Sequence, residues 1–341
     1  EAEAVSLELA TVSLAGQLQR RGADWRGNVA RLRLAPARGH VWTLQAPAAL
    51  TVLPAGRWRL EPACLAAVAR GAETTEEAAL RASADWPREG LRLASQRLPL
   101  SLVHPWLPRN EGRALVLRGE LTLDARLRPQ GQRWTGEVHV ASPDGGLRLG
   151  DRSRRELARY DNFSLDLEFN PQQIQGRLGS GFKGDGYVDA TFRTGWEDHS
   201  PLTGELYTYV GRLFWLELFS PDLVRPQGVL RGHVSLRGTR GQPALGGQLL
   251  LEDFTAELPV LGLSLAKGRG RLDAQPDGSA RIEAALRSGE GTLAVDGALS
   301  WYGQATPLQL AIRGDSVLIA DTAQLHAVAN PDLQFSLGSD A

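Results

Sequence analysis

Several groups of residues in this chain are of types that do chemistry. Gly179-Ser180-Gly181-Phe182-Lys183-Gly184 has the glycine spacing that lets a dinucleotide pyrophosphate approach a helix N-terminus. The residues that follow, Gly186 to Phe192, alternate as a strand does, so the required helix is missing and a glycine-rich hairpin is expected. Six histidines, at positions 40, 104, 139, 199, 233 and 326, are scattered with no HxH or HExxH spacing, which argues against a metal site. His139 and His233 fall on the polar parity of their segments, as do Asp124, Asp166 and Glu168, so solvated side chains are expected there rather than an acid–base pair. Cys64 is the single cysteine. It excludes a disulfide within the chain and a thiolate cluster, and is read as a buried small hydrophobe or as half of a pair completed outside this sequence. Arg152, Arg154 and Arg155 form a small basic cluster, expected on a solvated helix face. Asn162-Phe163-Ser164 fits a glycosylation sequon, which matters only in a secretory host. There is no GxxxxGK[ST] and no GxSxG. No nucleophile, metal or cofactor constellation emerges, so the chain is not read as an enzyme and no cofactor is expected.

The elements that carry these residues are strands. Leu115, Leu117, Gly119, Leu121, Leu123, Ala125 and Leu127 alternate with Arg118, Glu120, Thr122, Asp124 and Arg126. Successive strand side chains point to opposite faces, so one face is apolar and the other wet. The same alternation runs through Phe163 to Phe169, Leu230 to Leu236 and Leu308 to Ile312. Turn clusters separate such runs, among them Asn170-Pro171, Gly241-Gln242-Pro243 and Asp277-Gly278. The pattern predicts roughly 20 short strands. Asp151–Tyr160, Arg212–Phe219 and Thr75–Ala84 are the segments expected to be short helices.

Composition agrees with a folded chain. The 341 residues carry a net charge of −1, with 23% charged and 42% hydrophobic residues, which excludes global disorder and the basic signature of a nucleic-acid binder. No apolar run is long enough to span a bilayer as a helix. Of 38 basic residues only Lys183 and Lys267 are lysines, a skew typical of high-GC bacterial coding. The chain has no methionine and opens Glu1-Ala2-Glu3-Ala4, which suggests a processed or partial sequence.

Landmarks recur at intervals drifting from 113 to 103 residues. Gly119-x-Leu121-x-Leu123 returns as Gly232-x-Val234-x-Leu236, and Gly136-x-Val138-x-Val140 as Gly247-x-Leu249-x-Leu251. Upstream, Trp25-x-Gly27-x-Val29 matches Trp134-x-Gly136-x-Val138. The expected division is three β repeats, 1–97, 98–210 and 211–341. A ladder of this kind must twist, curl or split. Its apolar rows either pack on each other as a sandwich or line an open groove, and the pattern alone allows both.

The stretch from Leu216 to Leu272 resembles the TamB family. The resemblance rests on a short helix ending near Pro221, the Gly-x-Leu-x-Gly-x-Val-x-Leu-x-Gly run from Gly228 to Gly238, and Pro243-x-Leu245-x-Gly247. It continues in Pro259-x-x-Gly262, Gly291 to Gly297 with Trp301, and Asn330-Pro331-Asp332-Leu333. Leu98 to Pro108 is similar to the preceding unit of that family. The resemblance covers 98–341 closely and 1–97 loosely. It implies an all-β, elongated, curled, mostly antiparallel sheet, a U-shaped or taco-like groove with a few short helices, in the periplasm of a Gram-negative bacterium. The implied function is a hydrophobic conduit carrying glycerophospholipid between inner and outer membranes, with an inner-membrane anchor outside this sequence. A TamA-like outer-membrane barrel is the implied protein partner, and phospholipid acyl chains the cargo. The alternative it implies is assembly of outer-membrane proteins and autotransporters by β-strand templating. Exposing one 16-carbon chain to water costs on the order of 12 kcal/mol, so an apolar face is the minimal requirement for carriage. The candidate liners are Leu165, Leu167, Val188, Leu230, Val234, Leu236, Leu249, Leu251, Leu263, Leu265, Leu293 and Val295.

Overall fold

The computed structural model describes residues 3–337 except 8–9, 37–39, 71–74, 103–108, 111–112, 150–155, 184–185, 214–215, 217–221 and 301–307. The chain forms two compact units, Glu1–Arg177 and Leu178–Ala341. The first contains β1 (Glu3–Leu7), β2 (Ala10–Arg21), β3 (Asp24–Pro36), β4 (Trp42–Leu44), β5 (Ala48–Leu53) and β6 (Arg57–Arg70). It continues with β7 (Thr75–Trp86), β8 (Gly90–Pro99), β9 (Arg109–Asn110), β10 (Arg113–Gln130), β11 (Arg133–Leu149) and β12 (Glu156–Phe169). The division falls within β13 (Ile174–Phe182). The second unit holds β14 (Gly186–Thr194), β15 (Leu202–Arg212), β16 (Val224–Gly238), β17 (Pro243–Leu258), β18 (Leu263–Gln275), β19 (Ser279–Ser288), β20 (Gly291–Ser300) and β21 (Leu308–Asp315). It ends with β22 (Val317–Asp321), β23 (His326–Ala329) and β24 (Asp332–Leu337).

In the second unit each strand from β14 to β21 pairs antiparallel with the next, and β24 closes onto β21. β22 and β23 form a separate hairpin. The first unit runs in the same way, except that β3 pairs with both β4 and β5, and β8 pairs directly with β10. The class is therefore all-β and antiparallel, with sheets that curl at bulges.

The strands are longer than the sequence suggested, up to 18 residues in β10. The glycines of the recurring landmarks lie inside strands. Gly136 has φ +140°, and a Cβ there would sit 1.8 Å from the Arg126 carbonyl oxygen on the neighbouring strand. Gly247, its repeat counterpart, has φ +108° and would meet the His233 carbonyl at 2.3 Å. These are places where one backbone presses on the next and the sheet bends.

Two expected helices are strands. Thr75–Ala84 lies in β7, where Leu80, Ala82 and Ala84 oppose Leu65, Ala63 and Leu60 of β6. Its alanines favour helix, but cross-strand apolar partners outweigh that small preference. Glu156–Tyr160 begins β12, while 151–155, with the arginine cluster, lie outside the described residues. Of Arg212–Phe219, Arg212 ends β15 and Leu216 is helical. Cys64 is exposed, on the face opposite Ala63 and Leu65, so the buried-hydrophobe reading is corrected. Of the GxGxxG segment, Gly179–Phe182 lie in β13 and Gly184 lies outside the described residues; the next described element is strand β14, not a helix.

No sandwich core forms among the described residues. Among the described residues, the largest side chains that are fully buried are Leu213 and Ser142. The chain exposes 21148 Å². Two separate globules of half this mass would expose together about 16,400 Å².

Replacing Gly136 with alanine is expected to lower stability by about 2–4 kcal/mol, through left-handed strain and a backbone clash. Gly131→Ala, at a turn with φ +64° and open space around it, should cost about 1 kcal/mol. Urea unfolding of both variants checks the contrast.

Candidate functional site: a one-sided apolar face

Register turns alternation into continuous rows. In the second unit Val188, Thr208, Gly232, Leu249, Leu272, Ile282, Gly297, Leu310 and Phe335 lie opposite one another across nine strands. Leu206, Val234, Gly247, Ala274, Ala280, Leu299 and Leu308 make the next row on one side. Val210, Leu230, Leu251, Gly270, Ala284, Val295 and Ile312 make the row on the other. In the first unit the corresponding row is Leu18, Gly27, Leu50, Leu60, Ala84, Leu91, Leu127, Gly136 and Phe169.

These rows survive because bulges shift parity together. Arg225, Asp253 and Lys267 hold positive φ near +50° on adjacent strands β16, β17 and β18. Each marks a register shift. Leu249 and Leu251 sit at odd positions before the bulge, and Phe254, Ala256 and Leu258 at even positions after it. The bulge at Lys267 brings Leu263 and Leu265 to the same face as Leu272, which parity alone would separate.

All twelve candidate liners lie on the apolar face of their own sheet. Leu165 and Leu167 oppose Val140 and Val138 in the first unit. Of the ten in the second, Leu236 opposes Gly204 and Leu245, and Leu293 opposes Leu286 and Gly314. Three belong to a closed corner rather than an open surface, and a fourth is buried apart from it. Leu213, fully buried, packs with Phe254 and Ala256, and Leu230, Leu251 and Leu265 pack against that cluster. Leu263 is also buried. The remaining six of these, Val188, Val234, Leu236, Leu249, Leu293 and Val295, are half-buried, as are Leu165 and Leu167.

Sequence reasoning named no liner before residue 165. The structure places an apolar recess of about 370 Å³ there, lined by residues of β2 to β6 that include Leu14, Val29, Leu44, Leu50 and Leu60. The apolar face is therefore concave at that point. The alternation of Val12, Leu14, Gly16 and Leu18 carried a signal, but the bulge between Ala15 and Gly16, where Ala30 is the extra residue on β3, hid its continuation in β3.

The opposite face is wet and laced with ion pairs. Arg97 donates to both Glu120 oxygens at 2.9 and 2.8 Å, and this hydrogen bonding holds the Glu120 carboxyl below its ordinary range. His139 pairs with Asp166; His233 bonds Glu205 at 2.7 Å and stacks on Tyr207. Glu156, with its side chain 9% exposed, is met by Arg118 at 2.7 Å and by Arg159. Burial raises its pKa, but these two guanidinium bonds outweigh that and hold it below the ordinary value. No group of three metal-ligating side chains occurs among the described residues. No described helix is long and apolar enough to cross a membrane.

Single-layer antiparallel sheets with one half-exposed apolar face define a groove-type β protein rather than a sandwich. The chain belongs to the TamB family: the model of the TamB N-terminal domain matches residues 2–251. The match takes in the first 97 residues, where the sequence resemblance was loosest. Neither the search of curated proteins nor that of solved structures returns a match. Membership gives the chain a role in envelope transport or assembly.

Glu156→Gln should lower the unfolding midpoint at neutral pH and flatten the acid limb of the stability profile. The folded pKa is depressed, so its stabilisation is full above the unfolded carboxylate value of about 4.3 and is lost as pH falls through the folded one. Thermal unfolding from pH 3 to 7 reads the difference.

Proposed function

We propose that this chain is a section of a periplasmic conduit for glycerophospholipid. The observation that carries the reading is the pair of nine-strand apolar rows whose side chains stay half-exposed. A globular protein covers such rows with a second layer, because exposed apolar patches beyond a few hundred Å² mark interaction surfaces. An acyl chain laid on the rows removes the same area from water without any covalent step, and the headgroup stays hydrated. In this reading the cargo runs between the inner and outer membranes. A TamA-like barrel receives it, and an anchor outside this sequence holds the inner-membrane end. The three repeats 1–97, 98–210 and 211–341 would be the unit of growth. Gly27, Gly136 and Gly247 support this, since each is pressed against the neighbouring strand at the corresponding step of its hairpin.

A second reading, strand templating for outer-membrane clients, is favoured by β24. It bonds β21 along one edge, and Leu333, Phe335 and Leu337 on it are all about half exposed. A client strand adding there would extend the apolar rows.

Mass spectrometry of an organic extract of the purified protein, beside a delipidated and refolded control, separates the two readings. Stoichiometric phospholipid supports the conduit; a lipid-free, monodisperse protein overturns it. Leu249→Asp and Val234→Asp should keep the β circular dichroism signature. Bound lipid should fall by about an order of magnitude or more, since burying a carboxylate against an acyl chain costs several kcal/mol. Wild-type lipid content in both variants would count against the conduit.

A further inference from the structure

We propose that the wet face of the second unit carries a lane for a polysaccharide strand built of acetamido sugars. The inference does not rest on the conduit reading, which concerns the opposite face of the sheet.

Three of the chain's five tyrosines stand together on this face. Tyr187 lies directly opposite Tyr209, and Tyr207 lies two residues along β15 on the same side. Tyr187, Tyr207 and Tyr209 are 50%, 45% and 40% exposed. Strand propensity favours a tyrosine at any such position but does not gather three on two neighbouring strands. In the first unit the exposed aromatic side chain among the described residues is Trp25, and it shares the apolar face with Gly27.

One ring of the group is fixed in advance. Tyr207 stacks on His233, with ring centres 4.4 Å apart and planes 3° from parallel. His233 Nε2 bonds one Glu205 oxygen at 2.7 Å, and Arg237 donates to the other at 3.4 Å. A ring held in place before a ligand arrives loses less freedom on binding.

Register carries the lane onward. Tyr207, His233, Gln248, Asp273 and Arg281 lie opposite one another from β15 to β19. At about 4.8 Å per strand this row spans about 19 Å. Beside it run Tyr209, Arg231, Leu250, Arg271 and Glu283. Gln248, Arg271, Asp273, Gln275, Arg281 and Glu283 line a shallow depression of about 670 Å³ at the far end.

The charges point to the ligand class. Arg231 pairs with Glu252 at 2.5 Å, Arg271 with Asp273 at 2.6 Å and Arg281 with Glu283 at 2.9 Å. Each guanidinium is already matched by a carboxylate, so neither a polyanion nor a polycation gains an unmatched charge here. Leu250 is the one aliphatic side chain in the two rows, too little for the apolar centre of a protein interface. What the lane offers is ring faces, amides and planar polar forks. Electron-rich ring faces attract the polarised C–H bonds on the flat side of a pyranose. The Gln248 and Gln275 amides each present donors and an acceptor, which complement the N–H and C=O of an acetamido group. A linear chain of such sugars, with flat faces on the tyrosines and acetamido groups over the glutamines, uses the whole lane.

The test is titration calorimetry of the full chain with the β-1,4-linked hexamer of N-acetylglucosamine, beside the β-1,4-linked glucose hexamer. The first should bind several-fold more tightly, a comparison that needs no variant. Tyr207→Ala/Tyr209→Ala should weaken binding of the first by about tenfold or more. Tyr207→Phe/Tyr209→Phe keeps the rings and should stay near the wild-type affinity. Gln248→Ala should weaken binding several-fold and narrow the gap between the two hexamers. Bound phospholipid should be the same in every variant, since the lane and the apolar rows lie on opposite faces. No binding of the N-acetylglucosamine hexamer by the wild type overturns the inference, as does equal binding by the wild type and the alanine variant. Equal affinity for the two hexamers overturns the assignment to acetamido sugars. Concentration-dependent dimers that the alanine variant abolishes would give the surface to a second copy of this chain and overturn the inference as well. The conduit reading stands or falls separately, on lipid content.

Discussion

The rest of this structure depends on the register of the backbone ladder. Side chains alternate with a period of two, so a slip of one residue would carry every leucine of a strand to the wet face. Nine strands in each unit hold one apolar row in register despite several bulges. The wet-face pairs help to hold it, though each is worth little alone. Arg97 with Glu120 joins β8 to β10, and His233 with Glu205 joins β16 to β15. Exposed pairs of this kind contribute roughly 0.2–1 kcal/mol each. Most of the specification comes from the cost of exposing a misplaced row.

Bulges supply the curvature. The three residues near φ +50° on β16, β17 and β18 are an arginine, an aspartate and a lysine, none of them the glycine that backbone region favours. The bend therefore carries a local strain that the surrounding ladder must outweigh. Beyond it the second unit closes a corner around Leu213, Phe254 and Ala256. That corner is the packed core the unit has, and it leaves the middle rows uncovered. Stability and an open apolar face are thus assigned to different stretches of the same strands.

This division suits transport. A fully packed face would be more stable but could carry nothing. A fully open one would invite association between chains. The β22–β23 hairpin belongs to the closed side: Val317 and Ala320 are buried, and Ser288 bonds the Leu318 carbonyl at 2.6 Å. The tryptophan line in the first unit borders the open side, with Trp58 stacked on Trp86 and Trp25 46% exposed.

The sequence by itself determined the all-β class, the one-sidedness of the strands and the family. Those follow from alternation and from glycine and proline spacing, which are local properties of the chain. Leu249, Val234 and Val188 were legible as members of an apolar face for the same reason. The joining of Leu263 and Leu265 to Leu272 was not legible, because a bulge at Lys267 reverses parity and its cause lies in the neighbouring strands. Thr75–Ala84 reads as helix in isolation and is a strand, since Leu65, Ala63 and Leu60 wait opposite it. The recess beside Trp58 and the line of four tryptophans were likewise decided by tertiary structure. Trp25, Trp58, Trp86 and Trp134 are spread over 110 residues of chain. Only the cross-strand ladder, which no local pattern encodes, brings their rings to one rim.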